Sequence, residues 1–130
     1  MGLILDTNFI IAAEREARHG VTETIDRFFL NRASETFCIT FTIAGELACG
    51  KSASPKKDWE KLCRPYPTLP WSSEISWQYG EIYRALSAKG QLIGANDMWI
   101  AATALVNDMG VVTNNADEFG RVPGLAVVTY

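Results

Sequence analysis

The stretch Gly94-Ala-Asn-Asp-Met-Trp-Ile-Ala-Ala-Thr-Ala-Leu105 constrains the fold of this chain more than any other. Ile100, Ala101, Ala104 and Leu105 recur at helical spacing, with no proline and no charge after Asp97. A helix this apolar is buried, and its alanine-rich face lets it lie close against a sheet. Asn96 or Asp97 is expected at its cap or in its first turn, where a side-chain oxygen can accept from free backbone N–H groups. Taken alone, Asp97 does what many carboxylates do at helix starts. The rest of the chain gives it company.

Gly2-Leu-Ile-Leu5 is a continuous apolar run, as in a strand buried on both faces, and it ends on Asp6-Thr7-Asn8. Phe9, Ile10, Ala12 and Ala13 then predict a short helix that fades into the polar residues 14–20. A strand that runs into a helix with an acid at the junction is the first half of a βα unit. In open α/β sheets the ligand site lies beyond the carboxyl ends of the strands. The pattern repeats. Residues 21–30 are amphipathic through Val21, Ile25, Phe28 and Phe29. Residues 37–41 read as a strand, with Thr42 as cap for a helix reaching about Cys49. Glu46 lies one turn into that helix among Ile43, Leu47 and Ala48, where a carboxylate is poorly solvated unless it meets a cation or a cleft.

Ser54-Pro55 predicts the cap and first residue of a further helix, decorated by Lys56, Lys57, Lys61 and Arg64 and apolar through Trp59, Leu62 and Cys63. After the prolines of 65–70, which allow a short strand at 66–69, Ser72 or Ser73 should cap a long helix to Lys89. Ile75, Tyr79, Ile82, Tyr83 and Leu86 are expected to face inward, with Gly90 as its stop. Trp71 and Trp77 read as packing or interface residues. Following the Asp97 helix, Gly110 is expected as a C-cap, Val111-Val-Thr113 as a buried strand, Asn114-Asn115-Ala-Asp117 as another polar exit, and residues 125–128 as a closing strand. Alternation of this kind predicts an α/β fold, a central parallel sheet with helices on both faces, in one domain over residues 1–130.

Asp6, Glu46 and Asp97 thus each sit at a strand exit or helix start, and Asn115 and Asp117 at another. In a parallel sheet these groups converge on one edge. Clustered carboxylates with no interleaved Lys or Arg are best explained by a hard divalent cation with oxygen ligands, Mg²⁺ or Mn²⁺. Such an ion acidifies a bound water and neutralises charge at a phosphoryl centre, which points to phosphodiester hydrolysis without a protein nucleophile.

The motifs Leu5-Asp-Thr-Asn8, Thr42-Ile-Ala-Gly-Glu-Leu47, Gly94 to Leu105, and Val112-Thr-Asn-Asn115 resemble the successive motifs of PIN-domain ribonucleases, above all the VapC toxins of toxin–antitoxin pairs. Glu118-Phe-Gly-Arg-Val-Pro-Gly-Leu125 is similar to the usual VapC ending, so the resemblance runs nearly the whole chain. It implies a three-layer α/β/α PIN-like domain and a Mg²⁺-dependent endoribonuclease, with Mn²⁺ able to substitute. Asp6, Glu46 and Asp97 match the principal metal-binding acids, Thr7 and Asn8 the residues that buttress the first acid, and Thr113 the threonine before the fourth position. That position, often an acid, is Asn115 here. It can ligate through oxygen but brings no charge, and Asp117 is expected to compensate. The resemblance also implies an RNA substrate with tRNA as its class, a homodimer, and a VapB-like antitoxin whose C-terminal segment covers the site. Lys56, Lys57 and Lys61 are candidate RNA contacts.

Other features narrow the choices. The formal charge of −3 gives no global attraction for nucleic acid, so RNA must be held by a local basic patch or through metal. Cys38, Cys49 and Cys63 are widely spaced without a CxxC pair, and His19 is the only histidine, which argues against zinc and for a reducing compartment. Neither a signal peptide nor a membrane span is expected, and the chain is read as cytoplasmic. Two rivals differ in class. A non-catalytic PIN-like module that binds RNA or protein would be free to lose one of the acids, and all three are present. A receiver-type domain would want a second acid beside Asp6 and a late lysine, where Asn8 and Asn114-Asn115 stand.

Overall fold

A computed structural model of the chain describes residues 2–130. Its first strand, β1 (Gly2–Leu5), is the centre of the molecule. Leu3, Ile4 and Leu5 point alternately to opposite faces, yet all three are buried, so both faces of the sheet are covered. Asp6 follows as the N-cap of α1 (Thr7–Arg18), its Oδ1 accepting from the Phe9 N–H at 2.8 Å. The helix outlasts its apolar residues. Beyond Ala13 it continues to Arg18, with Glu14 and Arg18 paired at 2.8 Å one turn apart, so its end is sustained by charge rather than by the core.

Helix α2 (Glu23–Leu30) buries Ile25 and Phe28, whereas Val21 lies outside it and is 63% exposed. Strand β2 (Thr36–Thr40) leads into α3 (Phe41–Ala48), and the cap is Thr40 rather than Thr42. The strand ends one residue early, which lets the Thr40 hydroxyl accept from the Ile43 N–H at 3.1 Å and puts Phe41 already in helix. After a 3₁₀ turn, Lys51–Ala53, Pro55 itself occupies the N-cap of α4 (Lys56–Cys63) with no side-chain bond to it. The indole N–H of Trp59 donates to the Ala44 carbonyl at 2.9 Å, tying α4 to α3.

Strand β3 is only Thr68–Leu69. Ser72 caps α5 (Ser73–Ala88), which buries Ile75, Ile82 and Leu86 but leaves Tyr83 46% exposed. Tyr83 lies to the side of that apolar row, where no element covers it fully. Gly90 has φ of +64° and ends the turn that follows. Helix α6 (Ala95–Val106) starts from Gly94, so Asp97 is a first-turn residue and neither it nor Asn96 is the cap. Met98, Ile100, Ala101, Ala102, Thr103 and Ala104 are all buried, the most enclosed helical run in the described residues.

Gly110 belongs to β4 (Gly110–Val112), not to the helix cap. Asn107 holds that place and Asp108 takes the left-handed turn with φ of 54°. A side chain at 110 would press on Leu3 and on the Ala126 carbonyl, 3.1 and 3.3 Å away, so glycine is needed for close strand packing. Helix α7 (Ala116–Phe119) and β5 (Val127–Val128) complete the chain. The five strands are all parallel in the order β3-β2-β1-β4-β5, with helices on both faces in three layers. The chain winds one way from β1 to β2 and the other way to β4, so the crevice at the carboxyl ends of β1 and β4 is the topological switch point.

Candidate active site

Asp6 stands at that crevice. Its N–H donates to the Val112 carbonyl at 3.1 Å, carrying the β1–β4 ladder to the point where both chains leave the sheet. Only 7% of the residue is exposed. Burial pushes its carboxyl above the ordinary value, and hydrogen bonds from the Thr113 hydroxyl and the Phe9 N–H pull against that rise. Thr113, wholly buried at the exit of β4, also accepts from the Asn115 N–H at 2.9 Å. One hydroxyl thus fixes the first acid and the turn that follows β4. Thr7 does something else. Its hydroxyl donates to Glu46 Oε1 at 3.1 Å, joining α1 to α3. Asn8 is exposed, so Thr113 and a backbone N–H, rather than Thr7 and Asn8, brace Asp6. The physical reason is direction: Asp6 turns its carboxylate back over the start of α1, and the next two side chains leave on other sides of that helix.

Asp97 closes the group from α6. Its carboxyl is raised to about 6, by burial first, then by a hydrogen bond and charge from Glu118, then by the charges of Glu46 and Asp6. Four acids from four helical segments therefore act on one another across the carboxyl edge of the sheet. Among the described residues, no ion pair joins any of them to a lysine or arginine.

Sequence reasoning assigns the compensating charge to Asp117 and misses Glu118. The two are successive residues of α7 and face about 100° apart, as helix geometry requires. Asp117 points outward with its side chain 86% exposed and pairs with Arg121 at 3.0 Å, one turn on. Glu118 points to the acids, shares a hydrogen bond with Asp97 and accepts from Asn115 Nδ2 at 3.1 Å. The usable signal is the i, i+4 spacing of Asp117 and Arg121, which marks an exposed ion pair and leaves Glu118 for the other face. Asn115 itself is exposed and serves as a donor to Glu118.

The donor set is carboxylate oxygen with amide and hydroxyl support, the chemistry of a hard divalent ion. Desolvated like charges are what such an ion would relieve, and the raised Asp97 carboxyl is the sign of that strain. Among the described residues no three acids, imidazoles or thiols close into a cage of their own.

Lys56, Lys57 and Lys61 are not brought among the acids. They lie on α4, which packs on the helix that carries Glu46, and Lys56 faces Glu60 at 4.0 Å. Lys61 joins Ile10, Ala13, Leu62, Pro65 and Tyr66 around a cleft of about 410 Å³ between α1 and α4. The three cysteines are free thiols. Among the described residues, no helix is long and apolar enough to cross a membrane.

Comparison with known proteins agrees with this fold. A model of the PIN domain matches residues 3–125. Ribonuclease VapC2 of Rickettsia felis is 30% identical over 132 residues, covering 98% of this chain and 96% of that relative. The tRNA(fMet)-specific endonuclease VapC of Salmonella typhimurium is 31% identical over 129 residues, 95% of this chain and 94% of the other. Among solved structures, DNA-bound VapBC from Salmonella typhimurium aligns with a TM-score of 0.83 at 29% identity, over 99% of this chain and 98% of that one. VapBC-1 from nontypeable Haemophilus influenzae gives 0.79 at 25% identity, over 99% and 98%.

Proposed function

Since the chain belongs to the PIN-domain family, we propose that it is a VapC-type endoribonuclease, the toxin of a type II toxin–antitoxin pair, that hydrolyses RNA with Mg²⁺. The observation that carries this is the cluster of Asp6, Glu46, Asp97 and Glu118 at the switch point without a basic partner. Asp6 and Asp97 would hold the ion directly. Glu46, oriented by Thr7, and Glu118, oriented by Asn115, would hold its waters. When bound, a divalent ion supplies positive charge at the phosphate and acidifies a water. The chain's own part is to keep Asp6 ionised and aligned through Thr113 and the Phe9 N–H, and to offer in Asp97 a carboxyl near neutrality that can release a proton when the ion arrives.

The names of the relatives support RNA as substrate, and that of the Salmonella protein supports tRNA as its class. A VapB-like antitoxin is the partner implied by the aligned VapBC complexes, and the cleft between α1 and α4, apolar at Ile10, Ala13 and Leu62 and charged at Glu14, Asp58 and Lys61, suits an amphipathic segment. A homodimer would cover exposed aromatic surface, notably Trp77, which is 62% exposed beneath the Arg84 guanidinium. Such a toxin works in the cytoplasm, where RNA and antitoxin are met.

Cleavage of a total tRNA pool tests the reading. Purified protein with Mg²⁺ or Mn²⁺ should give discrete fragments, and EDTA should stop it. A folded protein that neither cuts nor binds Mn²⁺ would overturn the reading and leave an interaction module. The lysines of α4 give a second expectation. Neutralising Lys56, Lys57 and Lys61 should flatten the log–log salt dependence of RNA binding by about 0.7–0.9 for each lysine that neutralises a phosphate. An unchanged slope would make that face merely solvated.

A further inference from the structure

A bound ion would offset the acids at the reacting phosphate, but the neighbouring phosphates of an RNA strand still meet a carboxylate-rich edge, where fixed donors would help to hold them. Most donors held in place at this edge are already engaged. The Thr113 hydroxyl is on Asp6, that of Thr7 on Glu46, and Asn115 Nδ2 on Glu118. Arg121 divides itself between Asp117 and the Leu92 carbonyl.

A further donor of this edge is carried by the residues that follow β5. Strand β5 runs beside β4, and the Thr113 N–H donates to the Val128 carbonyl at 2.9 Å, so the residues after β5 pass directly over the exit of β4. There the Tyr130 N–H donates to Asn114 Oδ1 at 3.3 Å, and the ring of Tyr130 meets Phe9 edge to face at 4.9 Å. Phe9 is the residue whose N–H holds Asp6. The Tyr130 backbone is thus tied to Asn114 and its ring to Phe9, close enough to Asp6 to feel its charge. It is partly buried, and among the described residues no protein group bonds its hydroxyl. A phenol keeps its proton at neutral pH, so the hydroxyl is a donor there.

We propose that Tyr130 is an RNA-binding residue of the site, its hydroxyl donating to a backbone phosphate oxygen of the RNA beside Asp6. The assignment rests on the nuclease reading above. Asn114, a residue of the same polar exit, is its positioning partner.

The test is steady-state cleavage of a short RNA by the wild type and by Tyr130→Phe, which keeps the ring on Phe9 and removes only the hydroxyl. Mn²⁺ affinity and melting temperature are measured beside it. KM should rise about tenfold, the usual worth of one hydrogen bond to a charged group, with kcat, Mn²⁺ affinity and melting temperature little changed. Wild-type constants in Tyr130→Phe would overturn the assignment and reduce the ring to packing. A fall in kcat together with Mn²⁺ affinity would also overturn it, since the residue would then act through Asp6. If the wild type cuts no RNA, the nuclease reading itself has failed and this assignment falls with it.

Discussion

Asp97→Asn should cost about 10²- to 10³-fold in RNA cleavage and yet leave a protein that is, without metal, more stable at neutral pH than its parent. Both effects come from one source. Asp97 sits with Glu118, Glu46 and Asp6 around it, and its carboxyl is raised from 3.8 to about 6. The folded protein therefore binds this proton more tightly than the unfolded chain does. Stability carried by Asp97 is fully present below about pH 4 and is lost as pH rises through about 6. Metal-free wild type should melt a few degrees higher at pH 5 than at pH 7.5, a difference of about 1 kcal/mol from this group after solvent screening. In Asp97→Asn that part of the pH dependence should disappear. Saturating Mn²⁺ should raise the melting temperature of the wild type at pH 7.5 and do much less for the variant. Thermal melts at the two pH values, with EDTA and with Mn²⁺, check every part of this. A variant that fails to fold would instead make Asp97 a structural residue of the first turn of α6.

The neighbouring acids of α7 should separate just as clearly. Glu118→Gln should lower kcat/KM by about 10- to 100-fold, the usual loss when a group that orients a metal ligand is removed. It should also bring the Asp97 carboxyl down, because the charge and the shared proton that raise it are gone. Asp117→Asn breaks only an exposed pair with Arg121, worth about 0–1 kcal/mol, and activity should stay within about twofold. Kinetics of the two variants on one RNA substrate decide between them. Equal losses would return the compensating role to Asp117.

Much of this site is legible without coordinates because parallel βα units repeat one local event. An apolar run ends, and the residue at the junction must serve a free helix N-terminus, a ligand or both. Asp6 and Asp97 are visible for that reason, Glu46 is visible as an acid among apolar neighbours inside α3, and the order of strands and helices is visible too. What is not legible depends on direction within a turn. Thr40 and Thr42 are both sound caps, and only the length of β2 decides between them. Asp117 and Glu118 differ by one residue, and only the course of α7 shows which faces the acids. Tyr130 gives no signal at all, since its neighbours Phe9 and Asn114 are remote in sequence and meet it only through the pairing of β5 with β4.

That pairing order has a consequence for when the protein can act. β1 opens the chain, but its partner on the site side is β4, whose residues are paired with it more than a hundred positions later. Until β4 arrives, β1 has an open edge, the Asp6 N–H lacks its Val112 carbonyl, and neither Thr113 nor Glu118 is present to set the acids. A growing chain on the ribosome therefore carries Asp6 and Glu46 as isolated, solvated carboxylates for most of its synthesis. On the proposed reading, the four acids come together only after β4 and α7 have been made, so a copy that stops before Gly110 would hold no assembled centre.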